Sequence, residues 1–368
     1  MSRRGFVLLG VFILILVNVV TIGLIVLVNS QGDDDGASVG GISEDRLFNA
    51  VHGSWIATMV ANHSGLPIEG IWLDEPGPGN SIELVLLDEW STDDDTHIEW
   101  LDLHIFETHG LDPTYEQIRD EWVDHLEGDI WVATRRAHDL MLDGVVPPET
   151  GSPELNPEGA WAMDAQLETE LFGMLSVNDP NEAREQARRF GSVTSSGPAL
   201  DASAFYAHLY SRALFATDIA SLLDEARADE PADSIIAPIY DDVVTWFEQN
   251  PDDWRATRAL IGEKYDTDPE WWASRVNFAS TIMALLYGDG DITETVTIAG
   301  LAGWDADNNM TTSAGLLGLI LGADDLPEPW ASASDVYFNE DLVGDLPRFD
   351  SVENIARRTV ALAIERSS

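Results

Sequence analysis

The sequence predicts an all-α domain, and three observations carry that reading. From Glu44 onward apolar residues recur at helical spacing: Leu47, Val51, Trp55 and Met59 share one face, as do Ile98, Leu101 and Ile105, then Val352, Ile355 and Ala356. Strand-like alternation is scarce. Helix punctuation agrees, with Gly110 closing one periodic run, Asp291 and Glu294 in capping-box positions, and Asp350 three residues before Glu353. Residues 82–87 (IELVLL) are the best strand candidate, although so short an apolar run reads equally well as buried helix. Gly315, Gly318 and Gly322 within SAGLLGLILG would weaken an exposed helix, so they predict a buried, central one against which other backbones pack closely.

Composition bounds the rest. The 368 residues hold 66 acids against 19 bases, a net charge of -47, and Lys264 is the single lysine. Such a surface repels phosphate backbones, which excludes a nucleic-acid partner. It suits concentrated salt, which screens exposed charge to within about 3 Å near 1 M, so a halophilic protein is expected. Cysteine is absent, which removes disulfides, thiolate catalysis and cysteine-ligated zinc. With 45% hydrophobic residues and 13 tryptophans the chain can still bury a core.

Residues 5–28 form a run of 24 without a charge, where a bilayer core needs about 20 apolar residues. Arg3 and Arg4 precede the run, and no base follows until Arg46. This asymmetry predicts a single-pass anchor over residues 1–28 with the large domain on the extracellular side of the cell membrane. The same arginines also resemble a twin-arginine export signal. Residues 29–43 (NSQGDDDGASVGGIS) read as a flexible acidic linker, and the folded domain is expected over 44–368.

Two acidic runs stand at predicted helix starts. Asp93-Asp94-Asp95-Thr96 leads into the Ile98 helix, and Gly303-Trp304-Asp305-Ala306-Asp307-Asn308-Asn309 leads into the glycine-rich helix. Helix dipoles favour negative charge there, so each run alone is accounted for by capping. Acids beside a buried helix nevertheless need compensation, and oxygen-only donors favour magnesium, calcium or manganese. Glu69 lies in GLPIEG, a tight glycine-proline context that fixes its direction. His97, His104 and His208 have no Ser or Cys nucleophile context and read as packing residues.

In this order the three elements resemble the ADP-ribosylglycohydrolase family, which includes the dinitrogenase-reductase-activating glycohydrolases. GLPIEG looks like the Gly-x-Pro-x-Glu core of the family's first motif. DDDT matches a three-aspartate version of Thr-Asp-Asp-Thr, and GWDADNNMTTSAGLLGLILG is similar to Gly-x-Asp-x-Asp-Thr and the small-residue helix after it. GVVPP at 144–148, Asn156, Gln166, the ELFG of 170–173, PEPW at 327–330 and the closing ENIARRTVALA extend the likeness over nearly all of 44–368. Departures are Asp93 in place of the leading threonine, Asn308 where many members have threonine or cysteine, Asn62 for an aspartate, and Thr194-Ser195-Ser196 where relatives often carry a histidine.

The resemblance implies an orthogonal multi-helix bundle with two divalent cations, Mg2+ first among them, hydrolysing a glycosidic bond of an ADP-ribosyl or related ribosyl substrate. It implies Asp93, Asp94, Asp95, Asp305, Asp307 and Asn308 as ligands, and Glu69 as the group that contacts substrate or transfers a proton. The partners implied are a small molecule or an ADP-ribosylated substrate, with the membrane reached through the N-terminal helix. The alternatives are a non-catalytic cell-surface domain binding divalent cations or a sugar nucleotide, and a glycosidase for another ribosylated small molecule.

Overall fold

A computed structural model describes residues 38–128 and 130–368. The expected anchor over 1–28 and most of the expected linker lie outside these residues. Among the described residues, no helix is long and apolar enough to cross a membrane. The last six residues of the expected linker are ordered: β1 (Ser38–Val39) and β2 (Ile42–Ser43) pair antiparallel, and Val39 and Ile42 are buried. These two apolar side chains, ahead of the expected domain start at Glu44, close over the core that follows.

The first helix shows why the chain folds as it does. In α1 (Glu44–Gly65) the predicted stripe Leu47, Val51, Trp55 and Met59 is at most 1% exposed, and nearly every residue after Ala50 is buried on the other faces too. A helix buried all round occupies a centre. After β3 (Trp90–Ser91) come α2 (Asp94–His109), α3 (Tyr115–His125) and α4 (Val132–Leu142). The middle of the chain forms α5 (Glu170–Leu175), α6 (Pro180–Gly191), α7 (Pro198–Arg212), α8 (Ile219–Ala228), α9 (Ala237–Gln249) and α10 (Trp254–Tyr265). Then α11 (Ser274–Gly288), α12 (Ile292–Ala302) and α13 (Ala306–Leu321) pack in succession, before β4 (Val336–Phe338), β5 (Phe349–Ser351) and α14 (Val352–Arg366).

The most extensive helix pair is α1 with α13. Gly53 and Gly318 face each other there, and a Cβ on either would strike the other's backbone, so the sequence glycines are what let two buried helices meet. Below them β3 pairs parallel with β4, and β4 antiparallel with β5, with Trp90 opposite Tyr337 and Val336 opposite Ser351. This small sheet anchors the turn from which α2 departs.

Two local expectations are corrected. Residues 82–87 form no strand: the segment runs irregularly, the Val85 N–H donates to Ser64 Oγ at 2.8 Å instead of to a ladder, and Leu86 and Leu87 are exposed. Asp350 is not the cap of α14, because Ser351 fills that place with its Oγ accepting from Asn354 N at 3.0 Å. Asp350 turns inward to Arg358, at 2.8 Å, and Trp100 Nε1, at 3.3 Å.

Candidate active site

Three chain segments meet where α1 ends and α2 and α13 begin. Gly65, the last residue of α1, lies against Asp307 so closely that a Cβ would collide with the Asp307 Cα. Just beyond it, Glu69 N donates to Gly65 O at 3.0 Å and Gly70 N to Trp304 O at 2.9 Å, which pins the GLPIEG turn to the turn before α13. Buried Arg258 fastens the same two segments. Its guanidinium donates to the carbonyls of Leu73 (2.6 Å), Asp74 (2.9 Å) and Ala302 (3.1 Å), and it stacks 4.0 Å above the Trp304 ring.

The carboxylates form two trios. Oxygens of Glu69, Asp305 and Asp307 lie within 4.8 Å of one another, and so do oxygens of Asp93, Asp94 and Asp95. Asn308 Nδ2 donates to Asp95 Oδ1 at 2.7 Å and joins them. A carboxylate only accepts, so that bond fixes which amide atom of Asn308 faces Asp95. Asn62, noted in the sequence only as a departure, has a similar part: its Nδ2 reaches Asp93 Oδ2 at 2.6 Å and Asp95 Oδ2 at 3.2 Å. An aspartate there would have added another negative charge. Asn277 holds the α13 side, accepting from Asp305 N at 3.1 Å and from Asn309 Nδ2 at 2.9 Å. All seven positions named from sequence thus come together.

The electrostatics are severe. Asp95 and Asp307 are each 3% exposed, and among the described residues none of the six carboxylates forms an ion pair with Lys, Arg or His. Burial, then the charges of the neighbouring carboxylates, holds Asp94, Asp95, Asp305 and Asp307 well above the ordinary carboxylate range. Burial and the Asp93 charge raise Glu69 to about 7. Asp307 Oδ1 is buried without a hydrogen-bond partner. Oxygen-only donors, crowded charge and an orphaned carboxylate oxygen fit hard divalent cations.

The trios line a cleft of about 400 Å³ together with Leu66, Met163, Leu167, Trp131, Trp271 and Trp272. Asp164 also faces it, raised to about 6 chiefly by burial, while bonds from Thr134 N (2.6 Å) and Thr134 Oγ1 (2.8 Å) act in the opposite direction. Val132, at the mouth, takes a positive φ of 40°, a strained conformation for a β-branched residue. Sequence reasoning did not find these residues, since tryptophans and a lone aspartate in MDAQ have no spacing that relates them to aspartates tens of residues away.

Fold and site together make a helical bundle that brings carboxylates from three distant segments to one cleft. More particularly, the chain belongs to the ADP-ribosylglycohydrolase family, which matches residues 43–367, and membership makes it a glycosidic-bond hydrolase. A solved structure described as an "ADP-ribosylglycohydrolase-related protein complex" shares the fold, with a TM-score of 0.55 and 20% identity over 88% of this chain and 98% of that one. No curated protein matches the sequence.

Proposed function

We propose that the protein is a divalent-metal-dependent hydrolase of the glycosidic bond at the anomeric carbon of an ADP-ribosyl or related ribosyl group. The observation that carries this is the convergence of the two trios through Asn308. Asp93, Asp94 and Asp95 on one side and Asp305 and Asp307 on the other would hold the ions, two Mg2+ in our reading, with Asn308 joining the halves. Bound divalent ions supply Lewis-acid contact to substrate hydroxyls and a water of lowered pKa. Glu69, close to neutrality in its titration and facing the cleft, is placed to move a proton at the attacking or leaving oxygen. The remaining carboxylates favour positive charge developing on the sugar. The tryptophan wall offers flat apolar faces to a base or ribose and thins the water around the bond.

The test is release of ribosyl product from ADP-ribosyl-arginine, ADP-ribosyl-serine, ADP-ribose and nucleosides, with and without Mg2+. Turnover of one class that disappears with chelator supports the reading. Mg2+ binding with no turnover of any class would leave the cation- or nucleotide-binding domain instead.

The reading places this domain outside the cell on a membrane tether, supported by the uncharged run 5–28 after two arginines. Protease added to intact cells should digest the domain, and protection while a known surface protein is cut would remove the assignment. The acidic surface is in keeping with a saline medium, for which an unfolding midpoint that rises with potassium chloride is the measure.

A further inference from the structure

Helix α2 carries the aspartates at its first turn and a different cluster toward its last, about 15 Å along its axis at roughly 1.5 Å per residue. His104 and His109 on α2 meet Glu121 and His125 on α3. Glu121 Oε2 lies 3.3 Å from His104 Nε2 and 3.0 Å from His125 Nε2, and one ligand atom from each of these three residues falls within 4.8 Å of the others. The other carboxylate oxygen, Oε1, is 2.6 Å from His109 Nε2. None of these four side chains is more than 21% exposed.

The hydrogen bonds fix which atoms face inward. His125 Nδ1 is 3.0 Å from the carbonyl of Val343, which can only accept, so Nδ1 holds a proton and Nε2 is the ring atom that meets Glu121 Oε2. A carboxylate oxygen is an acceptor, so the 3.0 Å between them is bridged by a proton or by a metal ion. His109 meanwhile donates to Oε1 and leaves Oε2 turned toward His104 and His125.

We propose that His104 Nε2, His125 Nε2 and Glu121 Oε2 bind a zinc-class transition-metal ion. Zinc bonds of about 2.0–2.1 Å place tetrahedral ligand atoms about 3.3–3.4 Å apart, close to the 3.3 and 3.0 Å that separate Glu121 Oε2 from the two imidazoles. The outer partners have the usual form of such sites, a backbone carbonyl orienting one imidazole and a hydrogen-bonded group orienting the carboxylate. Three protein ligands leave a fourth position. His104 borders an open groove of about 430 Å³ shared with Glu107, Asp345 and Arg358, which gives an ion its entry and a water its place. The exposed Asp345 carboxylate stands 3.6 Å from His125 Nε2 at the rim. Imidazole ligands sort this centre from the aspartates, whose oxygen-only donors suit Mg2+. His104 was a packing residue by sequence and His125 was not singled out, since the cluster exists only where α2 meets α3.

The test uses the full chain, stripped with chelator and then kept in saturating Mg2+ so that the aspartates are filled. Calorimetric titration with Zn2+ should show one equivalent bound. Cu2+ in the same place should give an electron paramagnetic resonance spectrum split by imidazole nitrogens. Glu121→Gln and His125→Gln should each weaken Zn2+ more than about tenfold, while Asp305→Ala leaves Zn2+ affinity unchanged. If Mg2+ competes away all Zn2+, if Cu2+ shows oxygen ligands alone, or if folded His125→Gln binds Zn2+ as tightly as wild type, the proposal fails and a protonated imidazole bridges His125 to Glu121. Should both variants fail to fold, the nitrogen splitting in the wild type decides.

Discussion

Asp291 and Asp305 stand at the starts of consecutive helices, α12 and α13, yet they do opposite things. Asp291 is exposed and its side chain accepts from Glu294 N at 2.9 Å, an ordinary cap. Asp305 makes no side-chain cap, is only 9% exposed, and turns its carboxylate toward Glu69 and Asp307. Local sequence and helix dipole are similar in the two places. What differs is where the oxygens point, and a carboxylate aimed away from its own helix into a buried space shared with other acids must be relieved by a proton or, as we propose, by a cation from outside the chain.

The strongest way to break that comparison is Asp305→Ala. Hydrolysis should fall by about 10³-fold or more, the scale set by several kcal/mol of lost charge stabilisation. Wild-type stability should rise by about 2.7 kcal/mol at a hundredfold excess of Mg2+ over its Kd, and calorimetry should find this increment missing in the variant. Equal Mg2+ affinity in the two proteins would return both acidic runs to capping. Glu69→Gln separates proton transfer from ion binding within one trio. Turnover should drop by about 10²- to 10⁴-fold while the Mg2+ increment survives. A loss of affinity matching that of Asp305→Ala would make Glu69 a ligand instead.

Asp102 shows burial with neither a cap nor a shared ion site. It is 0% exposed, both oxygens lack a partner, and burial holds it well above the ordinary carboxylate range; Glu99 and Glu168 lie near enough to feel its charge. Below pH 4 it is protonated folded and unfolded alike. As pH rises the unfolded carboxyl ionises first, so stability is lost from about pH 4 up to the raised folded pKa, at no more than about 1.4 kcal/mol per pH unit. Asp102→Asn should therefore gain on wild type between pH 4 and 7 in unfolding experiments. A difference that stays constant with pH would show that Asp102 is ionised in the fold.

The helices were legible where apolar residues recur at helical spacing, as in Leu47 to Met59, although that helix proved buried on its other faces too, and the central helix was legible from Gly315 and Gly318. Each acidic run was visible because it sits within one turn, but by itself it read as capping, and only the family resemblance joined the two runs into one set of ligands. Residues 82–87 misled because an apolar run encodes neither burial nor the hydrogen-bond partner that makes a strand, and none of the six is buried here. Asn62, Asp164, Trp131, Trp271 and the His104–His125 cluster were hidden for the same reason: their neighbours come from other helices, and no local period encodes which helix that is.

The smallest effect is the most discriminating control. Asp291→Ala removes one accepted N–H bond at an exposed helix start, which costs about 1 kcal/mol. In a domain of this size that amounts to about 2 °C in Tm. Nothing in the cap touches the trios, since α12 runs from Asp291 to its far end before the chain turns into Gly303 and Asp305. The variant should therefore melt slightly earlier at every Mg2+ concentration, with the increment on adding Mg2+ and the turnover both equal to wild type. A Mg2+ increment that shrank along with the cap would mean that α12 transmits its stability to the aspartate turn, and the two acids would then differ in degree rather than in kind.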